Sequence, residues 1–220
     1  MITKKKESLS SIAYETIKDM IITNQFEPGE LITETQIQSI LNIGRTPIRE
    51  AFLKLSYENL VTIIPRKGIE VCRISPQIVN AIFVARKIIE PTVLRQSIQN
   101  LDKDWLKDMR SKFMKVHDDN LMKEKDGIIE YHRTDLSFHY TLVGTLGNKY
   151  LSDLVNNYMS HLMMICIATT QKSSRAGVAN LEHISIIDYI LKNDTENACN
   201  ALTEHIVLSH KEVIDNYINS

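Results

Sequence analysis

The stretch Gly44-Arg45-Thr46-Pro47-Ile48-Arg49-Glu50-Ala51-Phe52 predicts a short helix with basic residues at its beginning. Proline fixes φ and lacks an N–H group, so Pro47 fits a helix only in the first turn. Apolar residues then recur with the spacing of one buried helix face: Ile48, Ala51, Phe52 and Leu55. Arg45 and Arg49 lie four residues apart on another face, side by side near the helix N-terminus.

A helix of this kind suits insertion into the major groove of DNA. Arginine can donate two hydrogen bonds to O6 and N7 of guanine, and a helix N-terminus attracts phosphate. Arg45, Thr46 and Arg49 are therefore candidate DNA-binding residues. Taken alone, the stretch does not exclude an ordinary surface helix with two solvated arginines.

The preceding residues favour DNA binding. Thr33 is followed three residues later by Gln36, which is the pattern of a capping box that opens a short helix. Asn42 stands where a tight turn is needed, and asparagine tolerates the left-handed backbone conformation better than most residues. Residues 34–55 therefore predict a helix–turn–helix.

A β-hairpin is predicted directly after this motif. Residues 60–64 and 69–71 are rich in β-branched side chains, and Pro65-Arg66-Lys67-Gly68 separates them. The hairpin forms a wing with a basic tip. Arg66, Lys67 and Gly68 accordingly join the candidate DNA-binding residues.

Residues 29–71 resemble the winged helix–turn–helix of the GntR family of bacterial transcription regulators. The resemblance rests on the Arg-Thr-Pro-Ile-Arg-Glu-Ala run from Arg45 and on a wing that ends in a basic residue and glycine. Gly44 stands where a serine often precedes the arginine, and Asn59 replaces a usual glycine. The resemblance implies a homodimer on a palindromic operator, with one recognition helix in each half-site.

Composition adds a few bounds. The chain has 220 residues and a formal net charge of −1, so its overall charge gives no sign of nucleic-acid binding. Between residues 43 and 73, however, six basic residues stand against three acidic ones, an excess sufficient for few phosphate contacts per subunit. The three scattered cysteines are typical of thiols in a reducing cytosol. No signal peptide or membrane-length apolar run occurs, so we expect a soluble cytoplasmic protein.

The second part of the chain predicts helices and no strands. Ser75-Pro76 is a helix start, with serine as the N-cap and proline in the first position. The periodicity predicts six helices at residues 76–98, 103–124, 127–146, 150–170, 177–192 and 196–218. We therefore expect a mainly α protein, with a winged helix–turn–helix in residues 1–74 and an antiparallel helical bundle in residues 75–220.

Four polar residues of the bundle lie on apolar helix faces. Asp135 and His139 are four residues apart on a face that continues with Leu142, and His183 and His205 share apolar faces of two later helices. Such groups are costly to bury unless something pairs them. Three imidazoles and one carboxylate can bind a divalent transition metal. For any one of these histidines alone, a hydrogen-bonded core position is the better explanation.

The set Asp135-x-x-x-His139, Glu182-His183 and His205 resembles the FCD ligand-binding domain of the FadR-type branch of the GntR family. The resemblance implies that the aspartate and the three histidines hold a metal. Zinc is the first expectation, with nickel, manganese and iron as alternatives. It also implies that a small carboxylate binds beside the metal and changes the affinity of the dimer for its operator.

Arg86 is the candidate that would bind this carboxylate, from the pattern Arg86-x-x-x-Glu90 on the first bundle helix. The alternative is an exposed or salt-bridged arginine without a ligand. The remaining histidines are expected to be solvated: His117, His132, His161 and His210.

Two other functions stay open from the sequence. A metal-dependent enzyme could use the same three histidines and aspartate to activate water, although no HExxH motif occurs and no general base stands beside the ligands. The metal could also be purely structural, in which case its removal would unfold the bundle. The expected function remains a ligand-responsive transcription regulator, not an enzyme.

Overall fold

A computed structural model describes residues 8–118, 124–170 and 176–218 of the chain. The chain divides into two compact units, Met1–Ile74 and Ser75–Ser220. The described residues of the first unit form these helices and strands: α1 (Leu9–Ile22), β1 (Leu31–Ile32), α2 (Glu34–Leu41), α3 (Arg45–Tyr57), β2 (Val61–Ile64) and β3 (Gly68–Val71). The predicted winged helix–turn–helix is confirmed.

Local signals explain how α2 and α3 are joined. The Thr33 side chain caps α2 and accepts a hydrogen bond of 3.1 Å from the Gln36 backbone N–H. Asn42 ends α2 in the left-handed conformation, with φ 52° and ψ 38°. Helix α3 begins at Arg45, and the preceding Gly44 supplies no side-chain cap. Because the helix begins there, Pro47 lies in its first turn, where the missing N–H costs no hydrogen bond.

The core of the first unit lies between α1 and α3. The buried face of α3 is the predicted one: Ile48, Ala51, Phe52 and Leu55. Helix α1 contributes Ala13, Ile17 and Ile21 to the same core. At its edge the Lys18 Nζ atom lies 2.7 Å from a carboxylate oxygen of Glu58, which fixes the end of α3 against α1.

The wing is part of a three-stranded antiparallel sheet with the order β1-β3-β2. The β2–β3 hairpin was predicted, but β1 was not; it pairs Leu31 with Glu70 and Ile32 with Ile69. Gly68 has a φ of +132°, and a Cβ atom there would lie 2.7 Å from the Ile32 carbonyl oxygen. Only glycine fits this position without strain, because β1 runs so close to the wing.

The second unit is a helical bundle. Its described residues form these helices: α4 (Pro76–Ser97), α5 (Lys103–Asp118), α6 (Lys125–Gly144), α7 (Lys149–Thr170), α8 (Ala176–Leu191) and α9 (Thr195–Ile218). A 3₁₀ turn at Ile98–Asn100 follows α4. The predicted helix 103–124 is described as α5 as far as Asp118, and residues 119–123 lie outside the described part. Glu124 immediately precedes α6, without a capping hydrogen bond from its side chain. The other predicted helices differ from these bounds by one to two residues.

Helix packing brings the three candidate metal-binding helices together. Helix α9 packs on α4 and α8, and α6 packs on α4 and α7. The bundle core includes Phe83, Phe113, Phe138, Ile186 and Leu202. Among the described helices, none is both long and apolar enough to cross a membrane.

Candidate nucleic-acid interface and metal centre

The beginning of α3 presents the predicted DNA-binding residues to solvent. The Arg45 and Arg49 side chains are 68% and 63% exposed, and Thr46 is exposed as well. Glu34, the first residue of α2, pairs with both arginines: its Oε2 accepts a hydrogen bond of 2.6 Å from the Nε of Arg45, and its Oε1 lies 3.1 Å from the Nε of Arg49. Sequence reasoning did not single out Glu34.

The tip of the wing carries the other predicted residues. Arg66 has a φ of +65°, and a hydrogen bond of 3.1 Å from the Lys67 N–H to the Ile64 carbonyl closes the turn. Arg66 and Lys67 are exposed, and Gly68 begins β3. Two cations thus project at a tight turn, as contacts to a phosphate backbone require.

The four predicted metal ligands converge in the bundle. Asp135 and His139 come from α6, His183 from α8 and His205 from α9, and one candidate ligand atom of each lies within 4.8 Å of the others. The Nε2 atom of His183 lies 2.9 Å from Asp135 Oδ1 and 3.2 Å from His139 Nε2. The three imidazoles are 0–3% exposed.

Two further carboxylates hold the outer nitrogens of these histidines. Glu90 Oε2 lies 2.7 Å from His139 Nδ1, and Glu182 Oε2 lies 2.8 Å from His205 Nδ1. These contacts direct the Nε2 atoms of both rings toward the shared centre. Carboxylates in this position orient metal-binding histidines in many proteins and fix their tautomer. His183 is instead stacked on Phe113, with ring centroids 4.3 Å apart and an interplanar angle of 4°.

The electrostatics of the cluster suit a cation. Burial lowers the pKa of His139, with Glu90 opposing the shift. Burial and the neighbouring histidines also lower the pKa of His205 well below its usual value. Burial alone would raise the pKa of Asp135, but His183 and His139 hold it well below the usual range. Neutral imidazoles and an ionised carboxylate are the forms that bind metals, so Asp135, His139 and His205 fit a divalent ion.

A cavity of about 50 Å³ adjoins the cluster, and Arg86, Asp135 and His205 line it together with residues of α7 and α9. Arg86 is only 2% exposed, and its Nε donates a hydrogen bond of 2.7 Å to Glu90 Oε1. Its Nη2 atom is buried and has no hydrogen-bond partner among the described residues.

Sequence reasoning missed two buried residues beside the site. Glu90 is fully buried; burial alone would raise its pKa, but Arg86 and His139 lower the pKa to about 2. The expectation that His132 is solvated is wrong, because it is 6% exposed, lines the cavity and has a pKa lowered to about 4 by burial. His161 and His210 are half-buried, and the His117 side chain lies outside the described part.

A winged helix–turn–helix with exposed arginines, followed by a helical bundle, is typical of one class of proteins, the DNA-binding transcription regulators. Comparison with protein families agrees. Residues 9–71 match the family described as "Bacterial regulatory proteins, gntR family", and residues 81–208 match the FCD domain. The protein belongs to the GntR family of bacterial transcription regulators and carries an FCD domain.

Individual relatives lead to the same class. The chain is 27% identical over 193 residues to the uncharacterized HTH-type transcriptional regulator YdhC of Bacillus subtilis strain 168, covering 87% of this chain and 85% of the relative. It is 23% identical over 194 residues to the HTH-type transcriptional repressor RspR of Escherichia coli K12, covering 88% and 83%. Among solved structures, E. coli McbR/YncC has the same fold, with a TM-score of 0.82 and 15% identity over 96% of this chain and 99% of that one. The prediction of a transcription regulator is confirmed, and these relatives give no support to the alternative of a metal-dependent enzyme.

Proposed function

We propose that a small carboxylate, bound beside a divalent transition metal in the FCD domain, changes the affinity of this regulator for its operator. The observation that carries the proposal is the position of the four-residue cluster. Asp135 and His205 belong to the cluster and line the same cavity as Arg86. A metal centre and a buried arginine would therefore face the same small ligand.

The donor set favours a borderline transition metal. Three imidazole nitrogens and one carboxylate oxygen are typical of zinc, and they also suit nickel, manganese or iron. Asp135, His139, His183 and His205 would hold the ion, with Glu90 and Glu182 orienting two of the rings. The ion would supply a positive centre that attracts an anionic ligand.

Arg86 supplies the second cation of the proposed ligand site. A buried donor without a partner is unfavourable, so the free Nη2 of Arg86 favours a ligand that accepts a hydrogen bond. Hydrogen bonds between a guanidinium and a carboxylate are among the strong ones. The same cavity is lined by Arg86, Asp135 and His205, so a small anionic ligand there could meet the arginine and the metal site together.

The DNA-binding side of the proposal uses the first unit. Arg45, Thr46 and Arg49 would contact the major groove, and the wing residues Arg66, Lys67 and Gly68 would contact the DNA backbone. A homodimer would place one α3 in each half-site of a palindromic operator. Residues 1–74 would bind DNA, and residues 75–220 would bind the metal and the carboxylate.

A titration of DNA binding tests this function. An operator would first be selected from a random DNA library with the wild-type protein, and its affinity for the zinc-loaded protein would be measured with and without acetate, lactate, malate or citrate. We expect at least one carboxylate to change the affinity about 5- to 150-fold, the usual range of coupling between sites.

Two arginine variants give the control. Arg86→Lys retains the charge but lacks the forked Nη atoms, so it should lose the response to the carboxylate. Arg95→Gln changes an exposed arginine of the same helix, which pairs with Glu196, and should respond like the wild type. A zinc-loaded protein whose operator affinity no carboxylate alters would contradict the proposal and favour a purely structural metal.

A further inference from the structure

Glu34 contacts both predicted DNA-reading arginines, although it belongs to the other helix of the motif. One carboxylate oxygen accepts a hydrogen bond of 2.6 Å from the Nε of Arg45, and the other lies 3.1 Å from the Nε of Arg49. The Glu34 side chain is 24% exposed, whereas both arginines are mostly exposed. A single carboxylate thus holds two long side chains that would otherwise move independently.

The nitrogen atoms that contact Glu34 determine which donors of Arg45 and Arg49 remain available to DNA. Both contacts are made through Nε, so Glu34 does not pair with the Nη donors at the end of either side chain. No other hydrogen bond from either guanidinium occurs in the described part of the chain. Two Nη donors are the pair that can bind O6 and N7 of one guanine from the end of the side chain.

We propose that Glu34 is a positioning residue that sets the sequence specificity of DNA binding, by fixing Arg45 and Arg49 so that their Nη groups face the bases. The inference rests on the proposed role of these two arginines as base readers. Glu34 acts on specificity in two ways. It orders both side chains before DNA arrives, and it neutralises one of two adjacent positive charges.

Both effects follow from general physical chemistry. Ordering an arginine costs rotamer entropy, and an interaction that orders it in the free protein reduces this cost on binding. Two like charges four residues apart on a helix repel each other. The negative charge between them also weakens the sequence-independent attraction to phosphate, which is the main source of non-specific binding.

A simpler role for Glu34 has to be separated from this one. An acidic residue in the first turn of a helix interacts favourably with the helix dipole, so Glu34 could serve only to stabilise α2. Exposed ion pairs contribute little to stability. The two roles therefore differ in whether DNA selectivity or protein stability depends on Glu34.

The experiment compares Glu34→Gln and Glu34→Asp with the wild type. Affinity is measured by fluorescence anisotropy for a site selected from a random library by the wild-type protein and for a random-sequence duplex. We expect Glu34→Gln to lower the ratio of specific to non-specific affinity by about 5- to 150-fold, the range for losing one bidentate base contact. Its affinity for the random duplex should stay the same or rise.

Glu34→Asp keeps the charge at the start of α2 but is one methylene shorter, so it cannot hold both guanidinium groups. We expect it to lose selectivity too, whereas a helix-stabilising role alone would leave it like the wild type. Glu15→Gln makes the same charge change at an exposed position of α1 and should leave the ratio unchanged. A thermal unfolding midpoint close to that of the wild type would show for each variant that the protein is still folded.

The other possible results overturn either the proposed role of Glu34 or the assignment of Arg49 as a base reader. Wild-type selectivity in Glu34→Gln or Glu34→Asp, or an equal loss in Glu15→Gln, would overturn the inference. An Arg49→Ala variant separates it from the proposal on which it rests. If Arg49→Ala loses selectivity and Glu34→Gln does not, the arginine reads DNA without help from Glu34. If neither loses selectivity, the assignment of Arg49 as a reader is itself wrong.

Discussion

Replacement of Glu90 by glutamine should weaken metal binding and destabilise the bundle together. Glu90 is fully buried on α4. Its Oε2 lies 2.7 Å from His139 Nδ1, and its Oε1 accepts a hydrogen bond of 2.7 Å from Arg86 Nε. A glutamine has the same shape, but it has only one carbonyl oxygen and its amide group is a donor.

The size of the effect follows from these contacts. If the amide NH₂ faces His139, it favours the tautomer with the proton on Nε2, which cannot bind a metal. If it faces Arg86, two donors meet and a buried cation loses its counter-ion. Loss of such an outer partner lowers metal affinity about 10- to 100-fold, or roughly 1.4–2.7 kcal/mol. Breaking a buried ion pair also costs about 3 kcal/mol or more of the free energy of unfolding.

The assay is competition for zinc against a chromophoric chelator, followed by urea unfolding of the metal-free protein. Glu182→Gln is the matched control, since Glu182 makes the equivalent contact of 2.8 Å to His205 Nδ1 but is 20% exposed. Water can take over part of that contact, so its variant should bind zinc more tightly than Glu90→Gln. Zinc binding by Glu90→Gln that is as tight as that of the wild type, or no weaker than that of Glu182→Gln, would refute this prediction.

Three further predictions concern the wing, the pH dependence and DNA reading. Gly68→Ala should lower the free energy of unfolding of the first unit by about 1–3 kcal/mol, because Gly68 has a positive φ and the Ile32 carbonyl lies close to it. Thermal unfolding measures this effect. Gly144→Ala is the control, since it lies at a helical position with open space and should be neutral or stabilising. Burial lowers the pKa of His132 to about 4 from the usual 6.5, so the unfolded state binds more protons than the folded state below pH 6.5. The free energy of unfolding should therefore fall by about 3 kcal/mol between pH 6.5 and 4 because of this group. His132→Gln should show a correspondingly flatter pH profile in urea unfolding, and an unchanged profile would refute the role of His132 in this pH dependence. Arg49→Ala should weaken binding to the selected operator by about 1–3 kcal/mol, and an unchanged affinity in an anisotropy titration would rule out its role as a reader.

The helix–turn–helix could be predicted because its signals are local. Thr33 caps α2, Asn42 adopts the left-handed conformation and Pro47 lies in the first turn of α3, each as the sequence indicates. Strand β1 was missed because two residues, Leu31 and Ile32, are too short for an alternating pattern. Its existence depends on pairing with β3, which is far along the chain.

The metal cluster could be predicted from the sequence for a different reason. Helical spacing places Asp135 and His139 on one face, but only the family resemblance indicated that His183 and His205 meet them. His132 could have been found, since it is three residues before Asp135 and seven before His139, on the same helix face. The contact of Glu90 with His139 joins two helices. Periodicity predicts which face of a helix is buried, but it does not predict which residue of another helix that face contacts.

The metal content of the protein purified without added metal tests the central claim most directly. Elemental analysis would compare the wild type with His205→Ala, which removes a cluster residue, and with His210→Ala, a half-buried histidine of the same helix outside the cluster. We expect about one transition-metal ion per chain in the wild type and in His210→Ala, and none in His205→Ala. A wild-type protein without metal, or a His205→Ala variant that keeps its metal, would contradict it.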